Sequence, residues 1–261
     1  MLEALNIDVT LGKAQVLHGV SFRAQPGQVT ALVGPNGSGK TTLLCAMTGD
    51  VAHGGTVTLD GQDIGRMKPW ELAARRAVLP QATRLAFPFT VHEVVRLGLF
   101  AGREAARAPL IQTALARVGL AGFEGRFYQE LSGGEQQRVQ LARVLVQVWE
   151  PVLDGRACWL FLDEPVASLD IGHQIEVMEL ARDYAQAGGG VVAIMHDLNL
   201  TAMLADSVAL LQKGRAMTQG SPQEVLTDAR LSAAYGWALK VNTPPSEGET
   251  YILPHAAGRS A

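Results

Sequence analysis

The sequence predicts an α/β fold built on a mostly parallel sheet with flanking helices, and three observations indicate it. The apolar stretch Val29–Val33 leads into the glycine-rich segment Gly34–Thr42 and then into Leu43–Met47, which suits a helix. A second apolar run, Trp159–Leu162, is typical of a strand that is buried on both faces of a parallel sheet. A third run, Val191–Met195, follows a segment of helical length.

Composition places the chain among globular proteins with a sizeable core. Its 261 residues are 48% hydrophobic and 18% charged, and a net charge of −3 offers no basic field for nucleic acid. Cys45 and Cys158 lack a CxxC partner, so we expect neither a disulfide framework nor a zinc site. Because no apolar run approaches the ~18 residues that span a bilayer, we expect any membrane role to be peripheral, through a partner.

The remaining elements follow in chain order. Residues 2–33 read as strands joined by turns, an N-terminal antiparallel β subdomain, and Pro69–Ala77 reads as a short helix. Residues 82–130 read as a helical insertion that precedes a long helix through about Val148. We further expect the following elements: a strand at 54–60, a loop at 149–157, a helix at 171–187, a hairpin at 208–218, a helix at 222–235 and a short strand at 251–253.

The segment Gly34–Thr42 has the spacing of a phosphate-binding loop. Glycines let successive backbone N–H groups turn inward towards phosphate oxygens, and the following helix adds the positive end of its dipole. We expect Lys40 to reach the β- and γ-phosphates and the Thr41 hydroxyl to ligate Mg²⁺. An ordinary glycine-rich turn is the alternative, and the flanking strand and helix disfavour it.

Two acidic residues follow the buried strand Trp159–Leu162. Ligands of open parallel sheets bind beyond the carboxyl ends of the strands, which is where Asp163 and Glu164 fall. Asp163 is therefore a candidate Mg²⁺ ligand, and Glu164 is a candidate for orienting or deprotonating the attacking water.

Residues Ser132–Glu135 open the long helix. Ser132 and Glu135 form a capping box, yet Gly133 and Gly134 each lower helix propensity by roughly 1 kcal/mol, which suggests an anion site of bare N–H groups. The helix after the phosphate loop and the helix after Ser132 would both begin with a phosphate-binding site. A single triphosphate is not expected to use both within one protomer, which favours an arrangement of two protomers.

Taken together, these motifs resemble an ATP-binding cassette (ABC) ATPase over roughly residues 1–235. The resemblance rests on the order and spacing of GPNGSGKTT (34–42), Gln81, LSGGEQQRV (131–139), FLDEP (161–165), SLD (168–170) and His196. It implies a head-to-tail homodimer that sandwiches two ATP molecules, with Mg²⁺, and ATP hydrolysis coupled to transport, the translocase class of enzyme.

The resemblance also implies a role for each site residue. Glu164, His196, Gln81 and Lys40 would be catalytic, and Thr41, Gln81 and Asp163 would hold the metal. His196 would contact the γ-phosphate, and Asp170 would contact the opposite protomer. ATP would be bound by Gly34, Pro35, Asn36, Gly37, Ser38, Gly39, Lys40, Thr41 and Thr42, and across the dimer by Ser132, Gly133 and Gly134. The five other histidines are read as ordinary: His18, His53, His92, His173 and His255.

One departure from the family pattern concerns the adenine. The family usually places an aromatic residue where Leu11 stands, so stacking would be replaced by apolar packing on Leu11 and Val16.

The domain organisation follows from the same resemblance. A single ABC ATPase domain would occupy residues 1–240, with a core and β subdomain (1–81 and 150–240) and a helical subdomain that carries the signature motif (82–149). Residues 241–261 would form a tail.

The segments 71–81, 87–98 and 149–159 resemble those of importers of iron chelates, haem and cobalamin, and the last resembles haem importers in particular. The resemblance implies a separate permease contacted near residues 82–100, an indirect periplasmic substrate-binding protein, no nucleic acid, and a peripheral location on the cytoplasmic face of the inner membrane.

Several alternatives remain open. Import of a ferric siderophore or cobalamin is the alternative to haem. A non-transport ABC ATPase is disfavoured by the lack of long coiled coils and tandem cassettes, and a regulatory module without hydrolysis is disfavoured by Glu164 and His196.

Overall fold

The computed structural model describes residues 1–81, 85, 87–101, 109–244, 250 and 252. The strands are β1 (Leu2–Leu11), β2 (Ala14–Ala24), β3 (Val29–Val33), β4 (Gly54–Leu59), β5 (Gln62–Asp63), β6 (Arg76–Leu79), β7 (Val152–Leu153), β8 (Arg156–Ala157), β9 (Trp159–Asp163), β10 (Gly190–Ile194), β11 (Ser207–Gln212) and β12 (Arg215–Gly220). The helices are α1 (Lys40–Thr48), α2 (Pro69–Ala73), α3 (Val91–Ala101), α4 (Pro109–Arg117), α5 (Gly133–Gln147), α6 (Ile171–Gln186), α7 (Leu198–Leu204), α8 (Pro222–Val225) and α9 (Asp228–Tyr235).

A six-stranded sheet forms the centre of the molecule, in the order β12-β11-β3-β10-β9-β6. All its neighbours pair in parallel except β11 and β12, which form an antiparallel hairpin. Strands β3, β9 and β10 are buried along their whole length, as both-face burial in a parallel sheet requires. The α/β prediction is confirmed.

The two faces of this sheet pack into two hydrophobic clusters. Along β9, Trp159 and Phe161 join the cluster shared with α1, α2 and the N-terminal strands, whereas Leu160 and Leu162 join the cluster shared with helices α3 to α9. This alternation follows from the two-residue period of a strand. The central sheet therefore has helices on one face, and α1 together with the N-terminal sheet on the other.

The N-terminal subdomain is a four-stranded antiparallel sheet in the order β2-β1-β4-β5. The prediction of an antiparallel β subdomain before the phosphate loop is thus confirmed.

Helices α3, α4 and α5 pack together as a separate layer. A Cβ on Gly98 would overlap the carbonyl oxygen of Arg143, so α3 and α5 approach too closely there for any side chain. The Gln147 amide donates to the carbonyls of Ala73 and Arg76, both at 2.9 Å, and ties α5 to the central sheet.

Three expected elements differ from the structure. The helix expected over Pro69–Ala77 ends at Ala73, because Arg76–Leu79 pairs in parallel with β9 and buries Ala77 and Leu79. The expected loop 149–157 contains the small hairpin β7–β8.

The expected C-terminal helix over 222–235 is split into α8 and α9, since Thr227 caps a new helix. The expected strand at 251–253 lies outside the described residues, apart from Ile252. None of the helices in the described part of the chain combines the length and hydropathy needed to cross a membrane.

Candidate nucleotide site

The phosphate loop connects β3 to α1. Gly37 and Gly39 have φ of +75° and +98°, which L side chains rarely adopt, and Gly39 is the residue that caps α1. The Lys40 ammonium donates to the Gly34 carbonyl at 2.8 Å and the Pro35 carbonyl at 3.1 Å. Burial lowers the pKa of Lys40, and the nearby charges of Glu164 and Asp163 partly offset that effect.

The loop fits an anionic ligand on a further observation. The Ser38 hydroxyl is buried and has no hydrogen-bond partner among the described residues, and a Cβ added to Gly37 would meet no atom within 4 Å. A buried polar group without a partner costs free energy, so an acceptor brought by a ligand would relieve it.

Neighbouring strands hold the loop from outside. The N–H of Gly214, in the turn between β11 and β12, donates to the Ser38 carbonyl at 3.0 Å, and the Gly214 carbonyl accepts from the His18 N–H at 2.9 Å. A Cβ on Gly214 would overlap the carbonyl oxygen of Val16. One glycine thus joins the loop to β2.

A candidate magnesium position lies between α1 and β9. The Thr41 hydroxyl donates to Oδ1 of Asp163 across 3.4 Å. Burial raises the pKa of the Asp163 carboxyl, and the bond from Thr41 lowers it by less. Hydroxyl and carboxylate oxygens are the ligands that Mg²⁺ prefers, so the donor set fits this ion.

The next residue, Glu164, pairs with His196. Glu164 follows β9 and His196 follows β10, and because these strands are parallel neighbours both residues lie at one edge of the sheet. His196 Nε2 lies 2.6 Å from Glu164 Oε1. Glu164 has φ of +52°, a strained backbone conformation of the kind that clusters at functional sites.

Residues Ser132–Gly134 lie in a different place. Ser132 and Glu135 form the expected capping box, with Ser132 N and Oγ donating to Glu135 Oε2 at 2.8 and 2.7 Å. An open cavity of about 390 Å³ lies beside them. Its lining consists of Ser132, Gly133, Gly134, Glu135, Arg138, Ser168, Leu169, Asp170 and His173. None of these residues belongs to the phosphate loop.

The other expected site residues are more peripheral. Leu11 is 48% exposed at the end of β1, and Val16 is half-buried, with its carbonyl 3.6 Å from a Cβ built on Gly39. Gln81 is exposed two residues beyond β6, at the same edge of the sheet as Asp163. Thr42 is half-buried in the first turn of α1.

Sequence reasoning missed two features of the site. It gave no role to His173, whose spacing three residues after Asp170 was the available signal, and it gave none to Gly214, which carries no motif.

A mostly parallel sheet whose central strand opens into a phosphate loop is the architecture of a phosphate-loop nucleoside triphosphatase. The crystal structure of the ADP conformation of an ATP-binding cassette from an ABC transporter superposes with a TM-score of 0.76 at 25% identity, over 90% of this chain and 98% of that one. An ATP-bound Atm1-family exporter gives 0.74 at 28% identity, over 86% of this chain and 39% of that one.

Sequence comparison identifies the family. The family model described as ABC transporter matches residues 17–167. A hemin import ATP-binding protein, HmuV, from Jannaschia sp. is 69% identical over 260 residues, covering 100% of this chain and 96% of the relative. The HmuV of Roseobacter denitrificans is 64% identical over 258 residues, covering 99% of each. The chain belongs to the ABC transporter family, as one of its ATPase cassettes.

Proposed function

We propose that this ATPase powers the import of hemin through a separate membrane permease. The observation that carries the proposal is the 69% identity, over the whole chain, to a protein described as a hemin import ATP-binding protein. The cargo assignment depends on this similarity, and the mechanism depends on the geometry of the nucleotide site.

The working unit is a head-to-tail homodimer. The cavity beside Ser132–Gly134 contains the N-termini of two helices and excludes the phosphate loop of its own chain. Partial positive charge at helix N-termini attracts phosphate, so the cavity suits the ATP held by a second copy. Each copy then supplies half of the wall around the other's nucleotide.

Hydrolysis requires an activated water and a stabilised γ-phosphate. The His196 Nε2–H donates to Glu164 Oε1, and no described residue bonds Glu164 Oε2, which is left to accept a proton from water. Lys40 exchanges the carbonyls of Gly34 and Pro35 for phosphate oxygens when ATP binds. Thr41 and Asp163, with Gln81, would hold Mg²⁺, which supplies neutralisation of phosphate charge.

A hydrophobic surface near α3 suits the permease. Phe87 is 68% exposed, Leu97 is 43% exposed, and Phe127 is 45% exposed. The N–H of Tyr128, next to Phe127, donates to the Phe89 carbonyl at 2.9 Å, which ties the two segments together. Exposed apolar side chains grouped in this way mark a protein contact. We assign this surface, which combines exposed residues within 82–100 with Phe127, to the helices of a permease on the cytoplasmic face of the inner membrane.

The first experiment tests the ATPase mechanism. Glu164→Gln should abolish phosphate release and trap an ATP-bound dimer on size exclusion with light scattering, because the variant still binds ATP and lacks the base. Lys40→Ala should abolish phosphate release without trapping a dimer. Glu179→Gln, an exposed carboxylate on α6, is the matched control and should behave as wild type. Normal turnover by Glu164→Gln would refute the assignment.

The second experiment tests the cargo. The chain should co-purify with its multi-span permease, and vesicles containing both should take up hemin when supplied with Mg-ATP. Parallel assays with a ferric siderophore and with cobalamin test the two alternatives. Stimulation of uptake by a periplasmic hemin-binding protein would support hemin. Uptake of either alternative in place of hemin would overturn the cargo assignment.

A further inference from the structure

Two helix N-termini converge on the cavity beside Ser132–Gly134. Ser132 caps α5 and Asp170 caps α6, and both residues line the cavity of about 390 Å³. The side chain of Leu169 would lie 3.1 Å from a Cβ on Gly134, so the loop before α6 packs directly against Gly134.

His173 occupies both oxygens of the Asp170 carboxylate. Oδ1 accepts from the backbone N–H of His173 at 2.9 Å, and Oδ2 lies 2.7 Å from its ring Nδ1. Because an ionised carboxylate can only accept, Nδ1 carries the hydrogen of this second bond. The two bonds hold the pKa of Asp170 below its ordinary value, so the group stays a carboxylate.

Two other charged side chains, those of Glu135 and Arg138, also line the cavity. Glu135 is engaged by Ser132 and lies 3.7 Å from Arg126, and Arg138 contributes a positive charge to the lining. The Asp170 side chain is 69% exposed despite its bonds, so it faces outwards where a second molecule can reach it.

We propose that His173 is a positioning residue of the composite ATP site. Its imidazole fixes the exposed Asp170 carboxylate in the orientation that meets the phosphate loop of a second copy. The inference rests on the proposed homodimer. The His173 side chain, which belongs to none of the family motifs, would then set the orientation of Asp170 at the dimer contact.

Two substitutions separate positioning from direct contact. Asn places its amide N–H near the position of Nδ1 and retains the bond to Asp170, whereas Gln places its polar end near Nε2 and loses that bond. Ala, Asn and Gln at this position all retain the backbone N–H that donates to Asp170, so α6 remains capped and the variants should fold.

The experiment uses the full chain with Glu164→Gln as background and Mg-ATP as ligand. The dissociation constant of the dimer is measured by analytical ultracentrifugation. We expect H173A and H173Q to raise it about five- to tenfold, the worth of one hydrogen bond, with H173N within about twofold of the parent. The control H53A removes a ring whose hydrogen bond, among the described residues, is to the Gly54 carbonyl, and it should also match the parent.

A second measurement excludes a general loss of structure. Binding of a fluorescent ATP analogue to dilute monomer should change less than about twofold in every His173 variant, since His173 lies outside its own chain's phosphate loop.

The outcomes are distinguishable. A parent that stays monomeric with ATP refutes the proposed dimer and this inference with it. A parent and an H173A variant that dimerise equally tightly overturn only the inference. Rescue by Gln and not by Asn overturns positioning through Asp170, because direct contact through Nε2 would then explain the effect.

Discussion

Gly34 and Gly37 provide a matched pair of substitutions within one loop. Gly34 has φ of +146° and Gly37 has φ of +75°, so an L residue is strained at both. Only at Gly34 does space also forbid a side chain: a Cβ there would lie 2.1 Å from the Leu211 carbonyl oxygen, whereas at Gly37 it would meet nothing within 4 Å. Gly34→Ala should therefore destabilise the fold more than Gly37→Ala.

The magnitudes follow from these two effects. The left-handed conformation of Gly37→Ala should cost about 1–2 kcal/mol. Gly34→Ala adds an overlap with backbone, which cannot rotate away as a side chain would, for a total of about 2–6 kcal/mol. The difference of about 1–4 kcal/mol, at about 2–4 °C per kcal/mol, predicts that Gly34→Ala melts roughly 2–16 °C below Gly37→Ala.

The assay is thermal unfolding followed by circular dichroism, without nucleotide and at one protein concentration and one scan rate. Equal melting temperatures for the two variants would refute the argument that the Leu211 carbonyl excludes a side chain at residue 34. A lower melting temperature for Gly37→Ala would refute it more strongly.

Two further predictions concern Asp163 and Leu11. Burial raises the pKa of Asp163, so the ionised carboxylate destabilises the nucleotide-free fold at pH values above the ordinary pKa of an aspartate. Asp163→Asn should therefore raise the melting temperature at pH 7, and this gain should vanish as the pH falls and wild-type Asp163 becomes protonated. A gain independent of pH would contradict this reasoning. Leu11→Tyr should lower the KM for ATP about five- to tenfold through stacking on adenine, with kcat nearly unchanged, as measured by phosphate-release kinetics. Leu5→Tyr in the same strand is the control. An unchanged KM for Leu11→Tyr would show that residue 11 does not contact the adenine.

The sequence predicts the central sheet well because its strands are buried on both faces. A run such as Trp159–Leu162 has no polar position, which is informative without knowledge of its neighbours. The phosphate loop and the acidic pair were predictable for a related reason: the motif fixes the backbone, and the ends of parallel strands fix where the polar residues gather.

Elements that depend on distant partners were not predictable in this way. Arg76–Leu79 is a strand because it pairs with β9, some 80 positions along the chain, and its four residues carry too little pattern to indicate this. The prediction that the helix from Pro69 continues through Ala77 followed local propensity, which tertiary pairing overrode.

The same limit applies to the candidate site. The capping box of Ser132 and Glu135 is a local motif and was predicted from spacing, whereas the cavity that brings Ser132 beside Asp170 requires α5 and α6 to be packed. His173 was therefore read as ordinary, since only the folded chain shows that its ring reaches the Asp170 carboxylate.

The turn at Gly214 has a consequence for transplanting this site. Ser38 and His18 are bonded to opposite sides of that one residue, more than 170 positions downstream of both. A designer who moved only residues 34–42 into a foreign scaffold would transfer the motif without the Gly214 turn, whose backbone N–H hydrogen-bonds the loop at Ser38. The minimal portable unit is three separate stretches of chain, and a search by motif would recover only one of them.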